Sequence, residues 1–278
     1  MYEYKVSICI LTMDQWDLTK KCLDSLEKTS WDEKIELVIV DNGSKDETVE
    51  NLLQYQKNNN KIFDYTVLIN SSNRGCTGGR NQACRIAKGE YIVIIDNDVE
   101  IIESTWLKKL FEFYQQHDEK MGIVGPKMLY PNTDIIQQIG LGVTKEGRIG
   151  YWGQGKNRSD ENYNKPRVLQ GYPAACWLMK RSIFDECGYF DDIYYPVNLE
   201  DVDFCYRIRQ KGYKIMYCPD VEMYHYEHGT TQNSEGIAFV RVTIKNGLIF
   251  KKRWSNVYEK EDYMPLEELH WEKKINAK

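Results

Sequence analysis

The chain has 278 residues, of which 42% are apolar and 28% charged, proportions that exclude wholesale disorder and suit one large domain or two small ones. Its 37 basic and 42 acidic side chains leave a net charge of −5. An acidic chain without a basic tract is excluded as a general nucleic-acid binder, so any phosphate must be held locally, by a few placed groups or a metal.

Residues 6–12 form a short β-rich run, and Leu18, Cys22 and Leu26 then recur at helical spacing over 18–28. Residues 35–41 (IELVIVD) read as a near-continuous apolar strand ending in an acid. Ser44 and Glu47 have capping-box spacing and open a helix to about 56. A third strand is expected over 65–70, a helix over 79–88 stopped by Gly89, and a fourth strand over 90–96 (EYIVIID). Strands this apolar are buried on both faces, as in a parallel sheet covered by helices. Four β-α alternations predict a Rossmann-like α/β fold, with ligands at the carboxyl ends of the strands.

A helix over 104–116 and a strand over 122–126 follow. Residues 130–170 alternate weakly and read as loops with a β-excursion, a natural place for a substrate-specific insert. Regular structure resumes over 174–185, with a helix over 200–210 and strands over 213–218 and 221–225. The segment 237–253 is helical, with an apolar stripe and a basic end at Lys251, Lys252 and Arg253, which can dock on the sheet or sit on an anionic membrane. Apolar runs such as 91–95 fall far short of the ~18 residues of a spanning helix. Val6 opens an apolar stretch with no basic n-region or cleavage site, so no signal peptide is read. The eight cysteines include no C-x-x-C pair, and several lie in apolar stretches, which points to reduced thiols in the cytoplasm.

Asp96 and Asp98 flank Asn97 directly after a strand, where two carboxylates can converge on a hard divalent cation or form a solvated turn. Asp41 closes its strand and can accept from a ribose or a base N–H, or cap a helix. Glu200, Asp201 and Asp203 open a helix, where acids are favoured by the macrodipole whatever the function. Asp203 can pair with Arg207. Asp201 shares a face with apolar Cys205 and Ile208, where a carboxylate can gain the raised pKa of a general base. His225 ends a strand; with His228 it suggests zinc, but no third soft ligand lies nearby. Asn73-Arg74-Gly75 and Gly78-Gly79-Arg80-Asn81 flank a helix start, an arrangement that suits an anion site or a flexible turn. P-loop and G-x-S-x-G signatures are absent.

Taken in order, these segments resemble the family 2 nucleotide-sugar glycosyltransferases of GT-A fold, and within them the bacterial rhamnosyltransferase-like branch. The resemblance rests on VSICILT (6–12), IELVIVDNGSKDET (35–48), NRGCTGGRNQA (73–83), GEYIVIIDNDV (89–99), AACWLMKRSIFDECGYFDD (174–192), NLEDVDFCYRIRQKGYKIMYCPD (198–220) and YHYEHGTT (224–231). It covers roughly 4–254. It implies that Asp41, with Thr12 beside it, meets the nucleobase, and that Asn73, Arg74, Arg80 and Asn97 belong to the nucleotide site. It further implies that Asp96, Asp98 and His225 bind Mn²⁺ or Mg²⁺, that Asp201 is the catalytic base, and that Glu200 orients the acceptor. The implied reaction is inverting, from a nucleoside-diphosphate sugar to a glycan, lipid-linked or protein-linked acceptor in bacterial surface polysaccharide or glycoconjugate synthesis.

The implied organisation is a GT-A domain over 1–235, with a donor half at 1–100 and an acceptor half at 101–235, and a helical appendage at 236–278. Where the family has Tyr-Asn after Thr12, this chain has Met13-Asp14; His228 competes with His225, and 130–170 matches nothing assigned. A sugar-phosphate nucleotidyltransferase is the rival enzyme, but it needs a glycine-rich basic loop where this chain has TMDQWD. A catalytically silent sugar-nucleotide-binding protein is the rival of another class.

Overall fold

The computed structural model describes residues 2–57, 62–117, 120–227 and 239–261. The four apolar runs of the N-terminal part are strands β1 (Tyr4–Thr12), β2 (Ile35–Asp41), β3 (Phe63–Ile69) and β4 (Gly89–Asp96), all parallel, in the order β4-β1-β2-β3. Helices α1 (Trp16–Leu26), α2 (Thr48–Gln56) and α3 (Gly75–Ile86) make the crossovers. Alternate residues feed opposite sides of the sheet: Ile8, Leu37 and Val93 join one apolar cluster, Cys9, Val38 and Ile94 the other. That two-sided burial is why the strands read as continuous apolar runs. The one acid inside β2, Glu36, is satisfied by Ser7 Oγ at 2.5 Å and Lys88 N at 2.7 Å.

Beyond β4 the chain forms β5 (Val99–Ile101), α4 (Trp106–Gln116), β6 (Met121–Leu129), β7 (Ile136–Gln138), β8 (Leu141–Val143), β9 (Ile149–Tyr151), β10 (Arg167–Val168), β11 (Cys176–Lys180), α5 (Ser182–Cys187), α6 (Glu200–Gln210), β12 (Lys214–His225) and α7 (Phe239–Tyr258). The main sheet runs β10-β12-β6-β11-β4-β1-β2-β3, with β11 antiparallel between β6 and β4, so it is mixed but mostly parallel among its long strands. A third apolar cluster joins the β8–β9 hairpin to α6 and α7 through Leu141, Val143, Tyr206, Phe250, Trp254 and Tyr258. Buried Asp203 fixes that joint, accepting from Arg207 Nε at 2.9 Å and from Arg253 Nη1 and Trp254 Nε1 at 2.8 Å.

Several local expectations change. The capping box does not form: Ser44 Oγ bonds the Asp41 carboxylate instead, and α2 starts at Thr48, whose N–H is accepted by Asp46 Oδ1 at 3.0 Å. Gly89 is not a helix stop. It opens β4, and a Cβ there would lie 2.5 Å from Ser7 N, so glycine permits the close approach to β1. The strands expected over 213–218 and 221–225 are one strand, β12, with an irregularity between Tyr217 and Glu222. The excursion over 130–170 supplies β7 to β10.

Candidate active site

The carboxyl ends of β1 and β4 open into a cleft of about 590 Å³. Parallel register aligns Leu11 with Asp96 and Thr12 with Asp41, so the β-α turns bring their polar residues to one edge. Asp96, Asp98 and His225 come together there, with one ligand atom from each lying within 4.8 Å of the others. His225 arrives on β12, whose pairing with β5 sets it opposite Val99. His228 lies outside the described residues. The donor set is two carboxylates and an imidazole, which fits a divalent ion such as Mn²⁺ or Mg²⁺ and lacks the thiolates of a structural zinc site.

Gln137 orients the histidine. Its amide nitrogen donates to His225 O and to Glu227 Oε2, both at 3.2 Å, so its carbonyl oxygen must be the atom facing His225 Nδ1 at 2.7 Å. The proton of a neutral ring therefore sits on Nδ1, leaving Nε2, 3.3 Å from Asp98 Oδ1, as the nitrogen that could accept a metal. Burial pushes the His225 pKa down, but Asp98 beside it raises it overall. Burial likewise works against the Asp98 charge, and His225 outweighs it, lowering the Asp98 pKa.

Arg80 is buried between two carboxylates, with Nη2 at 2.5 Å from Asp96 Oδ1 and Nη1 at 2.9 Å from Glu200 Oε1. Burial opposes its charge, yet Asp96 and Glu200 hold its pKa well above the usual value. Glu200 is 3% exposed. Burial first, then Asp201, push its pKa up to about 7 against the pull of Arg80. Asp201 accepts from Ala174 N at 3.1 Å and Val202 N at 2.7 Å. Its pKa is raised by burial, which outweighs Arg80 and those two amides.

Thr12, Asn73 and Asn97 line the same cleft. Asn97 Nδ2 donates to Thr19 Oγ1 at 2.9 Å and Thr12 Oγ1 at 3.3 Å, bracing the turn that carries both aspartates. Asn73 Oδ1 accepts from Gly75 N at 2.7 Å and Asn42 Nδ2 at 3.0 Å, closing the start of α3. Asp41 and Arg74 are not among the cleft-lining residues. The Asp41 carboxylate is taken up by the 42–44 turn, accepting from the backbone N–H of Gly43 and of Ser44 at 3.1 Å. Arg74 is an exposed side chain just before α3.

Sequence reasoning missed Gln137, Asn42 and two walls of the cleft. One wall is the β8–β9 hairpin with Arg148, Ile149 and Tyr151; the other is the row Phe239, Thr243 and Gly247 of α7. A Cβ on Gly247 would meet nothing within 4 Å, so packing does not require that glycine, which lowers helix propensity by roughly 1 kcal/mol.

The family model for glycosyl transferase family 2 matches residues 7–188. A poly(ribitol-phosphate) beta-glucosyltransferase of Bacillus spizizenii is 34% identical over 146 residues, covering 48% of this chain and 23% of that protein. Among solved structures, the mannosyltransferase PcManGT from Pyrobaculum calidifontis, in complex with GDP-Man and Mn²⁺, superposes with a TM-score of 0.61 at 18% identity. The match covers 82% of this chain and 61% of that one. S. aureus TarS 1-349 in complex with UDP-GlcNAc gives a TM-score of 0.57 at 20% identity, over 79% of this chain and 58% of that one. These likenesses establish the GT-A fold. Of three curated relatives it matches, the chain spans 27%, 17% and 23% of the length.

Proposed function

This chain belongs to glycosyl transferase family 2, and we propose that it moves a sugar from a nucleoside-diphosphate donor to an acceptor hydroxyl, inverting the anomeric carbon, in surface-glycan synthesis. One observation carries the reading: a single cleft joins the Asp96–Asp98–His225 set to Asp201 through the Arg80–Glu200 bridge. The sugar-transferring relative and the Mn²⁺-bound neighbour support it. We assign residues 1–100 to the donor half and 101–235 to the acceptor half, with α7 added on the acceptor side.

Asp96, Asp98 and His225 would hold Mn²⁺ or Mg²⁺, which neutralises charge on a departing nucleoside diphosphate. The imidazole tips that set towards Mn²⁺. Thr12, Asn73 and the start of α3 hold the nucleotide; Asp41 shapes the 42–44 turn beneath it, and Arg74 stands at the helix N-terminus, where anions are favoured. Asp201 removes the acceptor proton as its oxygen attacks, a role that its raised pKa suits. Glu200 orients the acceptor and keeps Arg80 in place. The eight cysteines, all free, support a reducing cytoplasmic site of action.

The test is a thermal-shift screen of UDP, GDP, dTDP and CDP with and without Mn²⁺ or Mg²⁺. A nucleotide at about 100 times its Kd should add about 2.7 kcal/mol of stability, and only with metal present. The responding base narrows the donor class, and the sugar nucleotides of that base then decide whether it is rhamnosyl-type. Turnover should release nucleoside diphosphate; pyrophosphate would mark a nucleotidyltransferase. No shift with any pair refutes the donor site.

A further inference from the structure

We propose that α7 docks this protein on an anionic membrane surface through the row Val240, Ile244 and Leu248, beside the mouth of the cleft. These side chains are 70%, 59% and 65% exposed. Their four-residue spacing puts them on one face of the helix. That face cannot turn inward, because another is already committed. Phe250, Trp254 and Tyr258 are buried, and Asn246 Nδ2 donates to the carbonyls of Tyr194, Val197 and Asn198 at 2.8 Å each.

Charge selects the occupant. The helix carries Arg241, Lys245, Lys251, Lys252 and Arg253 and no acid, within a chain whose net charge is −5. Arg253 is paired with Asp203 and Asp191, and Lys245 Nζ donates to Tyr195 O. Arg241, Lys251 and Lys252 are exposed, and they border the apolar row, three residues before Ile244 and three and four after Leu248. Apolar side chains edged by cations match a bilayer interface with anionic headgroups. A second copy of this chain would set cations against cations. No helix among the described residues is long and apolar enough to cross a membrane, so α7 would lie along the surface.

The location gives the docking a use. Phe239, Thr243 and Gly247, on the neighbouring face of α7, line the cleft. Docking therefore holds the cleft mouth at the lipid surface, within reach of an acceptor carried there. That use rests on the proposed transfer; the docking itself needs neither metal nor donor, so the two fail separately.

The test is co-sedimentation of the whole chain with phosphatidylcholine vesicles, with and without about a third phosphatidylglycerol, at low and high salt. Binding should need the anionic lipid and fall with salt. Neutralising exposed Lys251 and Lys252 together (Lys251→Gln, Lys252→Gln) should weaken it about 30-fold, at roughly fivefold per charge. Ile244→Asp should weaken it at least about tenfold with the circular-dichroism spectrum unchanged. Binding that ignores lipid charge, or no binding at low salt, overturns the proposal. So does a dimer that Leu248→Asp abolishes, which would give the stripe to a second copy.

Discussion

Replacing Glu200 with glutamine should remove a specific pH dependence of folding stability. The Glu200 carboxyl is buried beside Asp201, and its pKa rises from 4.5 to about 7 despite Arg80. The folded chain therefore keeps a proton that the unfolded chain releases. The stability this gives is complete below about pH 4.5 and is lost as pH rises towards 7. At 1.36 kcal/mol per pKa step the loss is about 3 kcal/mol. Glutamine has the same shape, can still accept from Arg80 and does not titrate. Urea unfolding of both proteins across about pH 4.5 to 8, without metal, measures the difference. Wild type should lose about 3 kcal/mol relative to Glu200→Gln over that range. A pH-independent difference would show that Glu200 is ionised in the fold and that Arg80, not burial, sets its state.

Asp201→Asn should lower turnover by ~10²–10⁴ and leave nucleotide affinity unchanged, since a general base acts only in the chemical step; full rate in the variant would move the base elsewhere. At the metal set, Asp98→Ala should abolish Mn²⁺ binding measured by electron paramagnetic resonance. Gln137→Leu should weaken it about 10- to 100-fold, the usual effect of losing a ligand's orienting partner. Nitrogen-15 NMR of the metal-free protein should then show His225 no longer confined to the Nδ1–H tautomer. An unchanged tautomer would refute the role of Gln137.

The N-terminal half of the sheet is legible in the sequence because its signals are local. Strands β1, β2 and β4 are buried on both faces, so their apolar runs stand out without any tertiary knowledge, and the Asp96-Asn97-Asp98 turn follows directly from one of them. Arg80 shows where local reading stops. Its motif suits a nucleotide contact, and it lines the cleft, but its bonds to Asp96 and to a glutamate 120 positions away leave no trace in spacing. The β8–β9 hairpin was obscure for a different reason. Its strands are three residues each, and β8 is buried throughout, so no alternation develops. On α7 the apolar residues divide between two faces, and Phe250, Trp254 and Tyr258 are the inward anchors. The surface row is Val240, Ile244 and Leu248, and only the packing of Trp254 and Tyr258 tells the two faces apart.

If the proposed donor site is right, charge balance predicts that metal and nucleotide bind together rather than in turn. Arg80 is bonded to Asp96 and Glu200 and His225 to Asp98, while Asp201 beside them accepts, among the described residues, only from backbone amides. Burial first, and then the neighbouring Asp201, raise the Glu200 pKa against the pull of Arg80, so the site is poorly suited to take up further negative charge. A nucleoside diphosphate adds further negative charge to the same cleft and would meet repulsion on its own. A divalent cation held by Asp96 and Asp98 would reverse that balance, and each ligand would then improve the site for the other by the same factor. Arg80 would extend that coupling, because the Asp96 carboxylate it bonds belongs to the candidate metal set. A cation bound there would draw on that carboxylate, weaken its hold on Arg80 and leave the guanidinium freer for Glu200. On the proposed assignment, donor occupancy would in this way reach Glu200 and Asp201 across one side chain.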